Sequence, residues 1–66
     1  MSVAKVLELS AESTSSFDDA LRQGIRKASE SVSGIRAAWI ENQEVTVEDG
    51  EVSKYRVHMR VTFVIK

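Results

Sequence analysis

Residues 48–65 constrain the fold more tightly than any other stretch of the chain. Asp49-Gly50 separates two runs, and the second alternates: Tyr55, Val57, Met59, Val61, Phe63 and Ile65 point one way, while Lys54, Arg56, His58, Arg60 and Thr62 point the other. A two-residue type I′ turn needs φ > 0 at both central positions, which Asp-Gly tolerates. The pattern therefore predicts a hairpin in which Glu48 faces Glu51. The same register sets Ile40 beside Met59, Ala38 beside Val61, Trp39 beside Arg60, Glu41 beside His58 and Gln43 beside Arg56. One hairpin face is apolar and needs a cover.

The cover is legible upstream. Phe17, Ala20, Leu21, Ile25, Ala28 and Val32 fall at helical spacing with one apolar face, predicting a helix over about 17–32. Ser16 is its expected N-cap, Asp18 and Asp19 suit the positive end of the helix dipole, and Gly34 is the expected C-terminal stop. Gly24 costs about 1 kcal/mol against Ala in mid-helix, which implies that something packs closely there. Residues 3–9 read as a short strand ending at Ser10, and the Ser/Thr-rich stretch 10–16 reads as a loop. The sum is an α+β unit of order β-α-β-β, a three-stranded antiparallel sheet partly wrapped around one helix, within a single domain over residues 1–66.

Size then becomes the difficulty. A chain of 66 residues hides only roughly 60% of the surface its unfolded form exposes. It has no Cys and one His, so neither a disulfide nor a four-ligand zinc site reinforces it. What remains is unusually good local packing or self-association, and an oligomer is expected. A formal net charge of -1 supplies no field to draw in nucleic acid or anionic lipid. Lys5 and Glu8 interrupt the only apolar run near the N-terminus, which excludes a signal segment or membrane span there, and a cytoplasmic location is expected.

The second sheet face carries the candidate site. There Ile35, Ala37, Trp39, Glu41 and Gln43 are expected among Arg56, His58 and Arg60. An indole left among charges would waste the ~150–250 Å2 it buries when covered. Two coverings fit: another copy of the chain, or a planar ligand stacked on Trp39 with Arg56 or Arg60 offering cation–π contact or a fork for a phosphate or carboxylate. The two can coexist at a symmetry axis.

Four smaller groupings have simpler explanations. His58 beside Glu41 reads as a cross-strand ion pair, because no nucleophile lies near. Ser13, Ser15 and Ser16 read as helix capping rather than an anion site. Glu44, Glu48, Asp49 and Glu51 read as a solvated turn; a loose Ca2+ site is the alternative, without EF-hand spacing. Lys54, Arg56 and Arg60 form a basic row without the stacking platform that single-strand nucleic-acid binders use. No nucleophile–base pair or metal triad marks an enzyme.

The order strand, Ser/Thr turn, amphipathic helix and long hairpin resembles the dodecins over nearly the whole chain. The resemblance rests on Val3-Ala-Lys-Val-Leu-Glu-Leu9, Ser13-Thr-Ser-Ser16, Phe17-Asp-Asp-Ala20, Ala28 to Val32, and Tyr55-Arg-Val-His-Met-Arg-Val-Thr-Phe63. It implies a hollow homododecamer that binds, stores or sequesters a small ligand without catalysis, with FMN or riboflavin held at subunit contacts by Ala37, Trp39, Gln43, Arg56 and Arg60. The family's flavin binders stack the ring on a Trp early in the second strand and hold its edge with a Gln after the Tyr of the third. Here Arg56 stands at the Gln position, and the family's Trp-to-Gln separation lands on Ala37. Trp39 is therefore displaced by about 6.6 Å, at ~3.3 Å per residue. An Arg at that position also resembles a flavin-free, calcium-linked subgroup, so Ca2+ or a purely structural shell is the alternative.

Overall fold

A computed structural model of the chain describes residues 3–65. Strand β1 spans Val3–Ser13, helix α1 Phe17–Ser31, strand β2 Ile35–Glu48 and strand β3 Glu51–Ile65. The sheet is antiparallel in the order β1-β3-β2, so the alternating strand read most strongly from sequence is the central one. Helix α1 packs on β1 and β3.

The core is small. Ala20, Val57, Met59 and Val61 are fully buried, with Leu9, Ala11, Phe17, Leu21, Ile25, Ile35 and Ala38 partly buried around them. At Gly24 helix and sheet lie close together. A Cβ there would lie 2.9 Å from both the Ala11 Cβ and the Met59 Cε, which explains a glycine in mid-helix. Phe17 meets Tyr55 edge-to-face at 5.2 Å, anchoring the first helical turn on β3.

The helix start is built as its sequence predicts. Ser16 Oγ accepts from the Asp19 N–H at 2.9 Å. Buried Ser13 donates through Oγ to Asp19 Oδ2 at 2.5 Å and accepts from the Ser15 N–H at 2.9 Å. These serines are occupied in capping. At the other end the expectation is corrected: Val32, in extended conformation, caps the helix, and its N–H bonds the Ala28 carbonyl. Gly34 does adopt φ 80°, but it launches β2, with its carbonyl accepting from the Val64 N–H at 3.0 Å.

Two further expectations are corrected. β1 runs to Ser13, because Ser10, Ala11, Glu12 and Ser13 pair with His58, Val57, Arg56 and Tyr55 of the central strand. Ladder pairing here overrides the loop preference of serine. The hairpin register is right next to the turn, with Glu48 facing Glu51, and again over Ala37 to Ile40, with Ile40 facing Met59 and Trp39 facing Arg60. At the start of β2 a further irregularity pairs Ile35 with Phe63 and packs it against the core rather than on the second sheet face, where it is expected. Asp49 and Gly50 have φ of 52° and 78°, as a type I′ turn requires. Between the turn and Ile40, irregularities at Thr46/Val47 and Ile40/Asn42 shift residues 42–46 by one. His58 therefore faces Asn42 rather than Glu41, and Arg56 faces Glu44 rather than Gln43.

Candidate ligand-binding face

The sheet face turned away from α1 is set by the alternation of β3. Arg56, His58 and Arg60 project from the centre of this face. β1 places Glu12, Ser10 and Glu8 opposite them on one side, and β2 places Glu44, Asn42 and Trp39 on the other. Ala37 lies opposite Thr62 on the same face. Gln43 does not join this group, because the shifted register pairs it with core Val57.

Trp39 is 46% exposed, an indole lying on open sheet. The two arginines expected to serve a ligand are instead held by carboxylates of their own chain. Arg56 donates through Nε to Glu12 Oε1 at 2.8 Å, with a second very short contact to the same oxygen from Nη2, and through Nη1 to Glu44 Oε1 at 3.2 Å. That Glu44 oxygen also lies 2.8 Å from His58 Nε2. Arg60 donates through Nε to Glu41 Oε1 at 2.6 Å. Glu41 reaches Arg60 as the residue bulged from the ladder, re-aimed as bulges commonly re-aim a side chain.

Protonation follows the pairing. The hydrogen bonds and charge of Arg56 hold the Glu12 carboxyl below the ordinary carboxylate range. Bonds from His58 and then Arg56 lower that of Glu44. Glu12 and then Glu44 raise Arg56, and Glu41 raises Arg60. The face is a set of closed ion pairs around one uncovered indole.

Neither expected ligand meets a complete site within one chain. At the positions that the resemblance implies for a flavin, Ala37 offers no aromatic surface and the Arg56 guanidinium is already committed to two carboxylates. For Ca2+, which takes about six to eight oxygens, no three His, Cys, Asp or Glu side chains converge as candidate ligands among the described residues. Glu12 and Glu44 are both engaged by Arg56, and Glu12 by Lys54 as well. The role of Glu12 is hidden from sequence reasoning because the apolar run that marks β1 stops at Leu9, and that of Glu44 because the register shift between Thr46 and Val47 has no sequence mark. Among the described residues no helix is long and apolar enough to cross a membrane.

Known proteins agree with this architecture. A calcium dodecin of Mycobacterium tuberculosis is 32% identical over 63 residues, covering 96% of this chain and 89% of that protein. Its crystal structure, described as having a novel calcium-binding site, superposes with a TM-score of 0.84 at 29% identity, over 97% of this chain and 91% of that one. A dodecin from Streptomyces davaonensis superposes with a TM-score of 0.94 over 98% of this chain and 96% of that one, its 23% identity speaking for the fold alone. The Dodecin family model matches residues 3–66. With the strand order, helix and hairpin all in place, the chain belongs to the dodecin family.

Proposed function

We propose that the chain, one domain over residues 1–66, is the subunit of a closed homo-oligomer of twelve copies that holds a small ligand between copies without catalysis. It acts in the cytoplasm, with no nucleic-acid or membrane partner. Trp39 carries the reading: an indole 46% exposed on a flat sheet face stands to gain about 2–3 kcal/mol when covered. Supporting it, Val3, Val6, Leu7, Ile40, Val45, Val47, Val52 and Ile65 are also exposed. Both β1 and β2 are edge strands, which a closed assembly protects from uncontrolled pairing.

The ligand under this reading is FMN or riboflavin, stacked on Trp39 beside Ala37, Arg56 and Arg60. Titrating riboflavin into the protein while following flavin fluorescence tests it. Quenching at micromolar protein is the expected result, and its absence would sink the flavin assignment. Native mass spectrometry tests assembly separately, with a monomer overturning it.

A second reading is favoured by a specific observation. Arg56 is already engaged by Glu12 and Glu44, and the calcium dodecin above is a relative by sequence. In that case the assembly is flavin-free and binds Ca2+ through carboxylates of neighbouring copies, or serves as a shell alone. Calorimetric titration of the assembled protein with CaCl2 separates these: heat with saturable stoichiometry supports the cation, and none leaves the shell.

A further inference from the structure

Charge is distributed unevenly along the long axis of the molecule, which measures 52 Å against 20 and 14 Å across. At the hairpin turn, Glu48, Asp49 and Glu51 place three carboxylates within four residues, and Glu48 stands directly opposite Glu51. None of the three enters a salt bridge among the described residues. Like charges opposed across a strand pair repel. Immediately behind them Val47 and Val52 are also directly opposed, 61% and 51% exposed. The turn is an apolar pair fronted by uncompensated negative charge.

The complement lies toward the other end of β2. Because α1 rests on β1 and β3, a groove of about 480 Å3 stays open between the helix and β2, floored by Leu21, Ile25, Ile35, Ala38 and Ile40. Arg36 is its only charged lining residue and makes no salt bridge among the described residues. A larger groove of about 710 Å3 between β1 and α1 carries Glu12, Asp19 and Glu30 against Arg26 and Lys27. That balance is net negative and disfavours an acidic guest. From Ile40 to Glu48 is about 26 Å at ~3.3 Å per residue, so the turn cannot fold back into the groove of its own chain.

We propose that the hairpin turn of one copy docks into the α1–β2 groove of a second copy, with Val47 and Val52 over the apolar floor and Glu48 and Glu51, which leave the opposite face of the hairpin, reaching the exposed Arg36 from the groove rim. The inference rests on the self-assembly argued under Proposed function and assigns one of its contacts. The contact is head-to-tail, so a rotation that closes it produces a ring rather than a two-fold dimer.

Two charge-reversed chains test it, one carrying Glu48→Lys and Glu51→Lys, the other Arg36→Glu. Each alone sets like charges against each other at every such contact. Native mass spectrometry should show each with a mass below the wild-type assembly, or a dissociation midpoint on dilution raised about tenfold or more. A chain carrying all three changes restores opposite charges at every contact whatever the number of members in the ring, and should regain the wild-type mass. If either chain keeps wild-type assembly, or the chain with all three changes stays dissociated, this contact is wrong. Far-UV circular dichroism checks that each chain folds. Should one fail, the neutral chains Glu48→Gln/Glu51→Gln and Arg36→Gln replace them, and the combined chain should be no weaker than the worse of the two, whereas full additivity would overturn the pairing. A wild-type protein that is itself monomeric defeats assembly altogether. A wild-type oligomer with insensitive variants defeats only this contact.

Discussion

Arg56 and Glu44 meet across β3 and β2, Nη1 to Oε1 at 3.2 Å, because Ser53 is left out of the ladder between them and the turn, and Glu41 between them and Trp39. Without these two irregularities the simple hairpin register would put the neutral Gln43 amide opposite the guanidinium. One extra residue on each strand thus decides whether Arg56 is available to a ligand or bound to its own chain. The same shift gives Glu44 to His58 and leaves Glu41 to Arg60, so three of the cross-strand pairs on the open face depend on it.

The pairs make stability depend on pH in a definite direction. Glu12 and Glu44 have folded-state values lowered below those of the unfolded chain. Their contribution is therefore fully present above the unfolded carboxylate value of about 4.3 and is lost as pH falls through the lowered folded values. Raising Arg56 and Arg60 further has no effect in the accessible range, since both stay charged. The thermal midpoint should fall between about pH 5 and pH 3 more steeply in wild type than in Arg56→Met. Parallel curves for the two proteins would show that the carboxylates derive nothing from Arg56.

Gly24 should resist replacement even though alanine favours helices by about 1 kcal/mol. The added methyl would sit 2.9 Å from the Ala11 Cβ, which is fixed to the β1 backbone, and 2.9 Å from the more yielding Met59 Cε. Overpacking of this kind costs about 1–3 kcal/mol. Gly24→Ala should therefore lose about 1 kcal/mol by denaturant midpoint. Ala11→Gly in the same chain should recover part of it, giving a favourable coupling of at least about 0.5 kcal/mol. A stabilised Gly24→Ala protein would mean that helix and strand are less close than described.

These positions also mark how far the sequence can be read. The helix, its Ser16 cap, the Asp49-Gly50 turn and the close approach at Gly24 are all legible, because each rests on a local chemical requirement of a few residues. The end of β1 is not, since Ser10 to Ser13 are strand only through pairing with Tyr55 to His58, a long-range gain no local propensity records. The site suffers for the same reason. Trp39 and Arg60 are cross-strand neighbours as the turn register predicts, whereas two unmarked irregularities on either side of residues 42–46 carry Gln43 to the other face, and Glu12 is missed with its strand.

Two glycines with positive φ should separate strain from clash. Gly50 has φ 78° with nothing within 4 Å of the position a Cβ would take, so Gly50→Ala carries only the left-handed backbone cost of about 1 kcal/mol. Gly34 has φ 80°, and its Cβ would also lie 3.0 Å from the Val64 carbonyl oxygen of the strand it bonds. Gly34→Ala should be the more destabilising of the two in chemical denaturation. The reverse order would imply that the β2 start relaxes freely.

If a flavin is the ligand, its affinity should respond to the two differences from the family's usual pair. Ala37 and Trp39 share a face two residues apart, so Ala37→Trp moves an aromatic surface about 6.6 Å along β2, at ~3.3 Å per residue, to the expected stacking position. Arg56→Gln alone would leave Glu12 and Glu44 facing each other without their shared cation, so Glu44→Gln belongs in the same chain. The triple variant should bind riboflavin at least about tenfold more tightly than wild type by fluorescence quenching, and Trp39→Ala should weaken whatever binding wild type has. Stacking of a base on an aromatic side chain is worth about 1–3 kcal/mol, so an indole at position 37 gains enough to be measured above the loss of one exposed ion-pair network. Unchanged affinity in both variants would take the ligand off this face and leave Trp39 as a contact between copies.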